Sequence, residues 1–302
     1  MSSSVELLPG PPSGRLPDWI RTRPPRGQYP EVRGILERQR LGTVCREARC
    51  PNLSECWSAG TATLMLLGTE CTRRCSFCAV TTHWPRGEVD RTEPERVATA
   101  VAEWGLRYVV LTQVCRDDLE DGGASLMAET VRALRGAAPD ALVELLIGDL
   151  GGRSDALDAV LVEPPDVLAH NLETVRSLSP AVRDRRAGYD RSLELLSRVR
   201  TRSPHLVTKS SIMLGLGEGP DELDRAFGDL RAAGVDLLTL GQYLRPSAEH
   251  RAVDRYVPPD EFDAWRDRAL ARGFVGVEAG PLVRSSYHAE ELYRAAIVAR
   301  RG

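Results

Sequence analysis

The chain has 302 residues, a formal net charge of −3 and 27% charged residues, enough for one large barrel-type domain or two modest ones. Its Lys and Arg are spread rather than clustered, which gives no broad basic face for a phosphate backbone, so no nucleic-acid partner is expected. The start, MSSSVELLPGPPSG, lacks the basic and apolar regions of a secretory signal, and no apolar run is long enough to span a bilayer; the expectation is a soluble cytoplasmic protein with no membrane attachment. In that setting seven cysteines read as metal ligands or catalysts rather than disulfides.

The first thirty or so residues are rich in Pro, Gly, Ser and Arg, with one aromatic–apolar pair at Trp19-Ile20. They cannot build a core and are expected to lie over a larger domain or to stay mobile. A short helical pattern follows at 31–39, then a stretch bearing Cys45, Cys50 and Cys56. From Thr61 onward the pattern alternates. Apolar runs at 63–67, 108–111, 142–147, 167–169, 207–214, 237–240 and 274–277 read as buried parallel strands. Helical patterns at 94–104, 126–134, 154–161, 190–199, 221–232 and 260–272 fall between most of them. Strands alternating with helices imply crossovers and a parallel sheet.

Each strand is followed by a loop dense in polar groups, among them Gly68-Thr-Glu-Cys71, Thr112-Gln-Val-Cys-Arg-Asp-Asp118 and His170-Asn-Leu-Glu173. In (β/α) barrels such loops converge at the C-terminal ends of the strands and form the active site. No Gly-x-Gly-x-x-Gly fingerprint follows the first strand, which argues against a dinucleotide-binding sheet. The expectation is an α/β fold, a partial (β/α)6-type barrel over 61–280. An N-terminal extension (1–60) carries one cysteine triplet, and a C-terminal segment (281–302) ends in a helix.

The stretch Cys71-Thr-Arg-Arg-Cys75-Ser-Phe-Cys78 packs three cysteines into eight residues with no fourth close behind. A thiolate site that only holds a metal normally closes its shell with four protein ligands. Three ligands leave a coordination position free for chemistry. This triplet, with an aromatic before its last cysteine, resembles that of the radical S-adenosylmethionine enzymes. The resemblance implies a [4Fe–4S] cluster on Cys71, Cys75 and Cys78 whose fourth iron binds the cofactor. One electron then cleaves the sulfonium and generates a 5′-deoxyadenosyl radical, chemistry that belongs to the cofactor.

The second triplet, Cys45-x4-Cys50-x5-Cys56, narrows the match. With Gly60-Thr-Ala-Thr63 and Arg284-Ser-Ser-Tyr-His-Ala289 it resembles the lipoyl synthases, and the likeness runs from about Leu41 to Ala289. Further matching segments are Arg116-Asp-Asp-Leu119, Asp121-Gly-Gly-Ala124, His170-Asn-Leu-Glu-Thr-Val175, Thr208-Lys-Ser210 and Thr239-Leu-Gly-Gln-Tyr-Leu244. Gly215-Leu-Gly-Glu218 matches as well, though alone it is a weak signal and more often a plain turn.

The resemblance implies insertion of two sulfur atoms at C6 and C8 of an octanoyl chain carried on a lysine of a lipoyl-carrier domain. That carrier is a dehydrogenase E2 subunit or a glycine-cleavage H protein. A second [4Fe–4S] cluster, on Cys45, Cys50 and Cys56 with Ser286 completing its shell, is the sulfur source. S-adenosylmethionine is consumed twice. Asn171 and Glu173 suit the cofactor's ribose hydroxyls, and Arg116 and Asp117 stand beside it unless they form a salt-bridged loop. A lone histidine such as His170 is more often a packed structural residue than a ligand, and it is assigned neither role. A low-potential donor such as ferredoxin or flavodoxin and an iron–sulfur carrier complete the expected partners.

The chain departs from the family's usual pattern at Gly42 (usually His), Cys115 (Asp), Ser211 (Gly) and Gly148-Asp149-Leu150 (Pro-Asp-Phe). The alternative reading these leave is a paralogue acting on a different acyl substrate. Other rivals are a two-cluster electron carrier and a sulfur-inserting enzyme acting on RNA, which would tend to carry an added basic module. Cys115, at a strand end, is expected to pack as a small apolar residue and to bind no cluster.

Overall fold

The computed structural model describes residues 16–22 and 24–301; most of the Pro-rich start lies outside the described residues. Of the pair singled out there, Ile20 is buried and Trp19 exposed. The chain divides into two compact units, one of residues 22–74 and 78–169, the other of 16–21, 75–77 and 170 onward.

The first unit opens with α1 (Tyr29–Arg38), α2 (Val44–Glu47) and α3 (Leu53–Ser58), then β1 (Thr63–Leu66). A two-residue parallel pair, β2 (Glu70–Cys71) and β3 (Thr81–Thr82), follows, and then α4 (Glu93–Trp104), β4 (Tyr108–Gln113), α5 (Ala124–Ala137), β5 (Leu142–Leu146), α6 (Ser154–Leu161) and β6 (Val167–Ala169). Strands β1, β4, β5 and β6 pair parallel in chain order. Their register places Leu64, Leu111, Leu145 and Leu168 in one row, each fully buried. This is why the strands read as continuous apolar runs rather than alternating ones: crossover helices cover a parallel sheet. Helix α4 starts where Pro94 fits, since its missing N–H has no partner in the first turn anyway.

The second unit contains α7 (Ser179–Val182), α8 (Tyr189–Arg202), β7 (Val207–Leu214), α9 (Pro220–Ala232), β8 (Leu237–Gln242), α10 (Pro259–Ala271), β9 (Gly276–Gly280) and α11 (Ala289–Arg301). Strands β7, β8 and β9 pair parallel, with Ile212, Leu240 and Ala279 in register. Helices α8, α9 and α10 run within a residue or three of their sequence patterns, whereas the four-residue α7 had none. The last strand is displaced. Phe274 lies ahead of it and packs edge-on to Phe227, ring centroids 6.3 Å apart. Its burial comes from the helix layer rather than from a place in the sheet.

Phe227 also meets Trp265 edge-on at 6.0 Å. Trp265 is fully buried, and its indole N–H donates to Glu261 at 3.1 Å, so one side chain satisfies both the apolar core and its own polar handle. Trp265→Ala is expected to cost about 3–5 kcal/mol, read from the midpoint shift in denaturant unfolding.

Candidate active site

In the first unit, Cys45, Cys50 and Cys56 are brought together by two short helices and the turn joining them. Thr43 caps α2, its hydroxyl accepting from the Arg46 amide. The Cys50 amide donates to the Cys45 carbonyl at 3.0 Å, and the Leu53 amide closes onto Cys50 at 3.3 Å. Cys56 rides on α3, and Thr61 holds its carbonyl through both its amide and its hydroxyl. Below them lies the buried Trp57, stacked on Tyr29 at 5.2 Å and covered by the Arg46 guanidinium. Burial pushes the free Cys45 thiol up to about 11 and Cys56 to about 12, the neighbouring sulfurs adding to both. A metal centre that takes these groups as thiolates removes the cost of ionising them.

Cys71 forms β2, and the loop after it is pinned from within the same unit. The Arg73 guanidinium, buried, donates to Asp117 at 2.7 Å and to Asp149 at 2.6 Å. Burial acts to lower its pKa, but the hydrogen bonds to the two carboxylates outweigh it and hold the cation raised. Thr72 donates its amide and hydroxyl to the Cys115 carbonyl, both at 2.9 Å, and its hydroxyl lies 2.8 Å from Asp117. The ends of β1, β4 and β5 are thereby tied together. Glu93, at the start of α4, accepts from the amides of Leu67 and Gly68 at 2.6 and 3.1 Å, fixing the entry to the cysteine loop.

Arg116 is also buried. It forms a bidentate pair with Asp118, both bonds 2.8 Å, and reaches the Glu88 carbonyl at 2.6 Å. Its hydrogen bond holds the Asp118 carboxyl below the ordinary range. The stability this supplies is present above about pH 4, the unfolded value, and is lost as the pH falls through the lower folded value. A salt-bridged loop is therefore what the structure places at 116–118. The Cys115 carbonyl, bonded to the Thr72 amide, sets Cys115 next to Cys71 along the backbone, and the interaction of the two thiols lowers the Cys71 pKa and raises that of Cys115.

In the second unit the segment 75–77 is docked by its own contacts. Ser76 donates its amide to the Val182 carbonyl at 2.9 Å and accepts on its carbonyl from Arg251 at 2.9 Å. Phe77 packs against Val182, Leu216 and Tyr243, which accounts for the aromatic before the last cysteine. The Asp184 amide points at the Cys75 sulfur, 3.3 Å away.

The 170–175 loop is held against β7. Glu173 has a left-handed backbone, φ 72°, and exchanges amide–carbonyl bonds with Ser211 (3.0 Å) and Met213 (2.9 Å). Such a conformation costs on the order of 1–3 kcal/mol and persists only where surroundings impose it. Burial raises the Glu173 carboxyl; the Arg183 charge and the Asn171 amide oppose that. Asn171 Oδ1 is buried with no partner. This orphaned acceptor and the adjoining acid fit a ligand that donates hydroxyl protons. His170, buried, bonds Ser192 at 2.8 Å, which packs it as a structural residue. Glu218 closes its own turn onto Gly215 and Leu216.

The C-terminal motif lies against β8. A Cβ on Gly241 would sit 2.1 Å from the Val283 carbonyl oxygen, so only glycine lets this backbone cross. Ser285 and Ser286 are half-buried, and α11 begins at Ala289, so neither serine directly precedes the last helix. Ser211 donates to the Thr239 carbonyl at 3.3 Å, settling its hydroxyl within the sheet. Among the described residues no three His, Cys, Asp or Glu converge on one ion-sized point; the thiolates of a cluster bind separate irons and need not do so. Arg73, Glu93 and Arg183 carried no distinguishing signal in the sequence beyond lying near the motifs.

Residues 65–230 match the model of the Radical SAM superfamily. The fold is also that of the FeFe-hydrogenase maturase HydG from Carboxydothermus hydrogenoformans (TM-score 0.56, 14% identity, 89% of this chain and 61% of that one). Methylornithine synthase gives a TM-score of 0.54 at 12% identity, covering 83% of this chain and 75% of that one. The expected α/β fold with its parallel strands is thus the radical SAM fold. A lipoyl synthase of Symbiobacterium thermophilum is 55% identical over 95% of this chain and 90% of its own length. That of Thermus thermophilus is 52% identical over 96% and 90%, and a mitochondrial lipoyl synthase of Schizosaccharomyces japonicus 47% over 100% and 81%. The chain belongs to the lipoyl synthase family, sulfurtransferases of the radical SAM class.

Removing the Arg73 charge leaves the buried Asp149 and the partly buried Asp117 carboxylates facing one another. Arg73→Met is expected to destabilise by about 3–5 kcal/mol and to lower the iron retained after reconstitution, measured by denaturant unfolding and iron assay.

Proposed function

We propose that this chain inserts sulfur at C6 and C8 of an octanoyl group held on a lysine of a lipoyl-carrier domain. The observation that carries the reading is the pair of cysteine triplets in a chain 55% identical to a lipoyl synthase over 95% of its length. Identity of that extent favours it over the paralogue with another acyl substrate. The target carbons are unactivated; their protons lie far outside the range a side-chain base can reach, so hydrogen-atom abstraction is the workable route. When bound, S-adenosylmethionine with one [4Fe–4S] cluster supplies the hydrogen-abstracting radical, and a second [4Fe–4S] cluster supplies the sulfur.

In this reading Cys71, Cys75 and Cys78 hold the cluster that binds the cofactor, leaving its fourth position open. Cys45, Cys50 and Cys56 hold the sulfur source, with Ser286 as fourth ligand. An oxygen ligand matches iron less well than thiolate and leaves more readily, which suits a group that must be stable at rest and yet give up sulfur. Asn171 and Glu173 accept from the ribose hydroxyls; the orphaned Asn171 Oδ1 supports this. Arg116 and Asp117, in the loop after β4, are engaged by Asp118 and Arg73, so the proposed cofactor contacts rest on Asn171 and Glu173. The domain reading stands with it: residues 1–60 as the extension bearing the sulfur-source cysteines, 61–280 as the barrel and 281–302 as the closing segment. The carrier is an E2 subunit or an H protein, electrons come from ferredoxin or flavodoxin, and an iron–sulfur carrier renews the spent cluster, all in the cytoplasm. No described helix is long and apolar enough to cross a membrane.

Anaerobic reconstitution, reduction with S-adenosylmethionine and mass analysis of an octanoyl-lysine peptide test the reaction. Two [4Fe–4S] units correspond to about eight irons, and Cys71→Ala should retain about four and cleave no cofactor. A full iron complement in that variant would mean the triplets are misassigned. Ser286→Ala should still cleave S-adenosylmethionine yet form little or no lipoyl product, and Ser286→Cys should bind its cluster more tightly and donate sulfur poorly. Wild-type sulfur insertion in both would remove Ser286 from the shell.

A further inference from the structure

Between β8 and α10 the chain makes a long excursion without regular structure, residues 243–258. Both of its limbs are anchored where β7 ends. The Tyr243 amide donates to the Leu214 carbonyl at 2.8 Å, and the Asp254 amide to the Gly215 carbonyl at 2.9 Å. Gln242 ties the limbs together, its Oε1 accepting from the Val257 amide at 2.7 Å and its Nε2 donating to the Arg255 carbonyl at 3.1 Å. The tip closes on itself: Arg245 Nε donates to the His250 carbonyl at 2.8 Å, and the His250 amide to the Ser247 carbonyl at 3.1 Å.

Arg251, on the returning limb, joins this loop to the cysteine segment, and every polar group it has is engaged. Its amide donates to the Ser76 carbonyl at 2.9 Å. Its carbonyl accepts from the Tyr243 hydroxyl at 2.7 Å, and its guanidinium donates to the Leu216 carbonyl at 3.1 Å. From the other side the Ser76 amide donates to the Val182 carbonyl at 2.9 Å and the Ser76 hydroxyl to the Ala181 carbonyl at 3.0 Å. The buried Tyr243 ring also belongs to the apolar cluster on which Phe77 packs. Ser76 and Phe77 are the only residues between Cys75 and Cys78. With so short a link, the backbone at 76 and 77 sets how far apart the two sulfurs lie and how each is turned.

We propose that Tyr243 and Arg251 are positioning residues for the cluster that binds the cofactor. The loop after β8 acts as a clasp on Ser76 and holds the link between Cys75 and Cys78 in the conformation that receives iron and sulfide. The inference rests on the assignment of Cys75 and Cys78 as ligands. Groups that orient metal ligands without touching the metal typically change metal affinity about 10–100-fold when removed, and a site held ready by its surroundings avoids the entropy of ordering on binding. Tyr243 and Arg251 carry out both roles through one backbone contact.

The test uses the full chain, cluster-free and anaerobically reconstituted, with Tyr243→Phe, which keeps the ring, and Arg251→Met. In the cluster-free chain, hydrogen exchange read by mass spectrometry should be about fivefold faster over 74–79 and 248–253 in each variant, the factor for one hydrogen bond of typical strength, with 43–60 unchanged. After reconstitution a chelator should remove about four of about eight irons roughly tenfold faster than from the wild type, the other four leaving at the wild-type rate. The change that S-adenosylmethionine produces in the electron paramagnetic resonance spectrum of the reduced wild type should be weakened or lost. Arg251→Lys, which keeps a donor for the Leu216 carbonyl, should restore exchange, iron retention and spectrum together. Unchanged exchange in both variants, faster exchange with wild-type iron retention and spectrum, or equal acceleration of all eight irons would overturn the proposal. A wild type whose spectrum does not respond to S-adenosylmethionine would overturn the ligand assignment and the proposal with it, a failure distinct from the others because the exchange measurement reads the clasp without a cluster.

Discussion

The guanidinium of Arg73, buried between Asp117 and Asp149, is the interaction on which the first unit's part of the site depends. Taking one cation and two carboxylates out of water is costly, and such an arrangement adds little to net stability. What it supplies is placement. Arg73 follows Cys71 by two residues, Asp117 follows β4 and Asp149 follows β5, so three successive strand ends share one charge-assisted knot. The planar fork of the guanidinium admits few orientations, and Cys71 is set by it. Arg116 with Asp118 repeats the device one step along the same loop.

The second unit uses backbone instead of charge. Segment 75–77 is held by amide and carbonyl bonds to Val182 and Arg251, with Phe77 as its apolar anchor. The left-handed Glu173 is imposed by its two bonds to β7. These backbone bonds do not depend on side-chain ionisation, whereas the Arg116–Asp118 pair does.

Much of this was legible from the residues, and the reasons are local. Strands 167–169 and 207–214 match their apolar runs to the residue because turn signals bound both. Strand β8 runs two residues beyond its apolar run because Gly241 and Gln242 continue the ladder; Gln242 is buried by bonds to the Leu214, Tyr243 and Arg255 carbonyls, partners no window of sequence contains. Helices α2 and α3, four and six residues long, are too short to show a period, though they gather the second triplet. The cysteines announced themselves by spacing. The approach of Cys115 to Cys71 did not, because it depends on which way a loop leaves β4. Arg73 looked like any charged loop residue; only tertiary burial distinguishes it from Arg74, which is exposed.

The crossing of Val283 over Gly241 has a consequence for how the chain is made. A ribosome delivers the six triplet cysteines, and then β8, before the Arg284–Tyr287 motif. The motif can dock only on a finished β8, because its position is set by backbone contact with that strand. Until that motif has been made, the nascent chain therefore displays every triplet thiol without the segment that lies over β8.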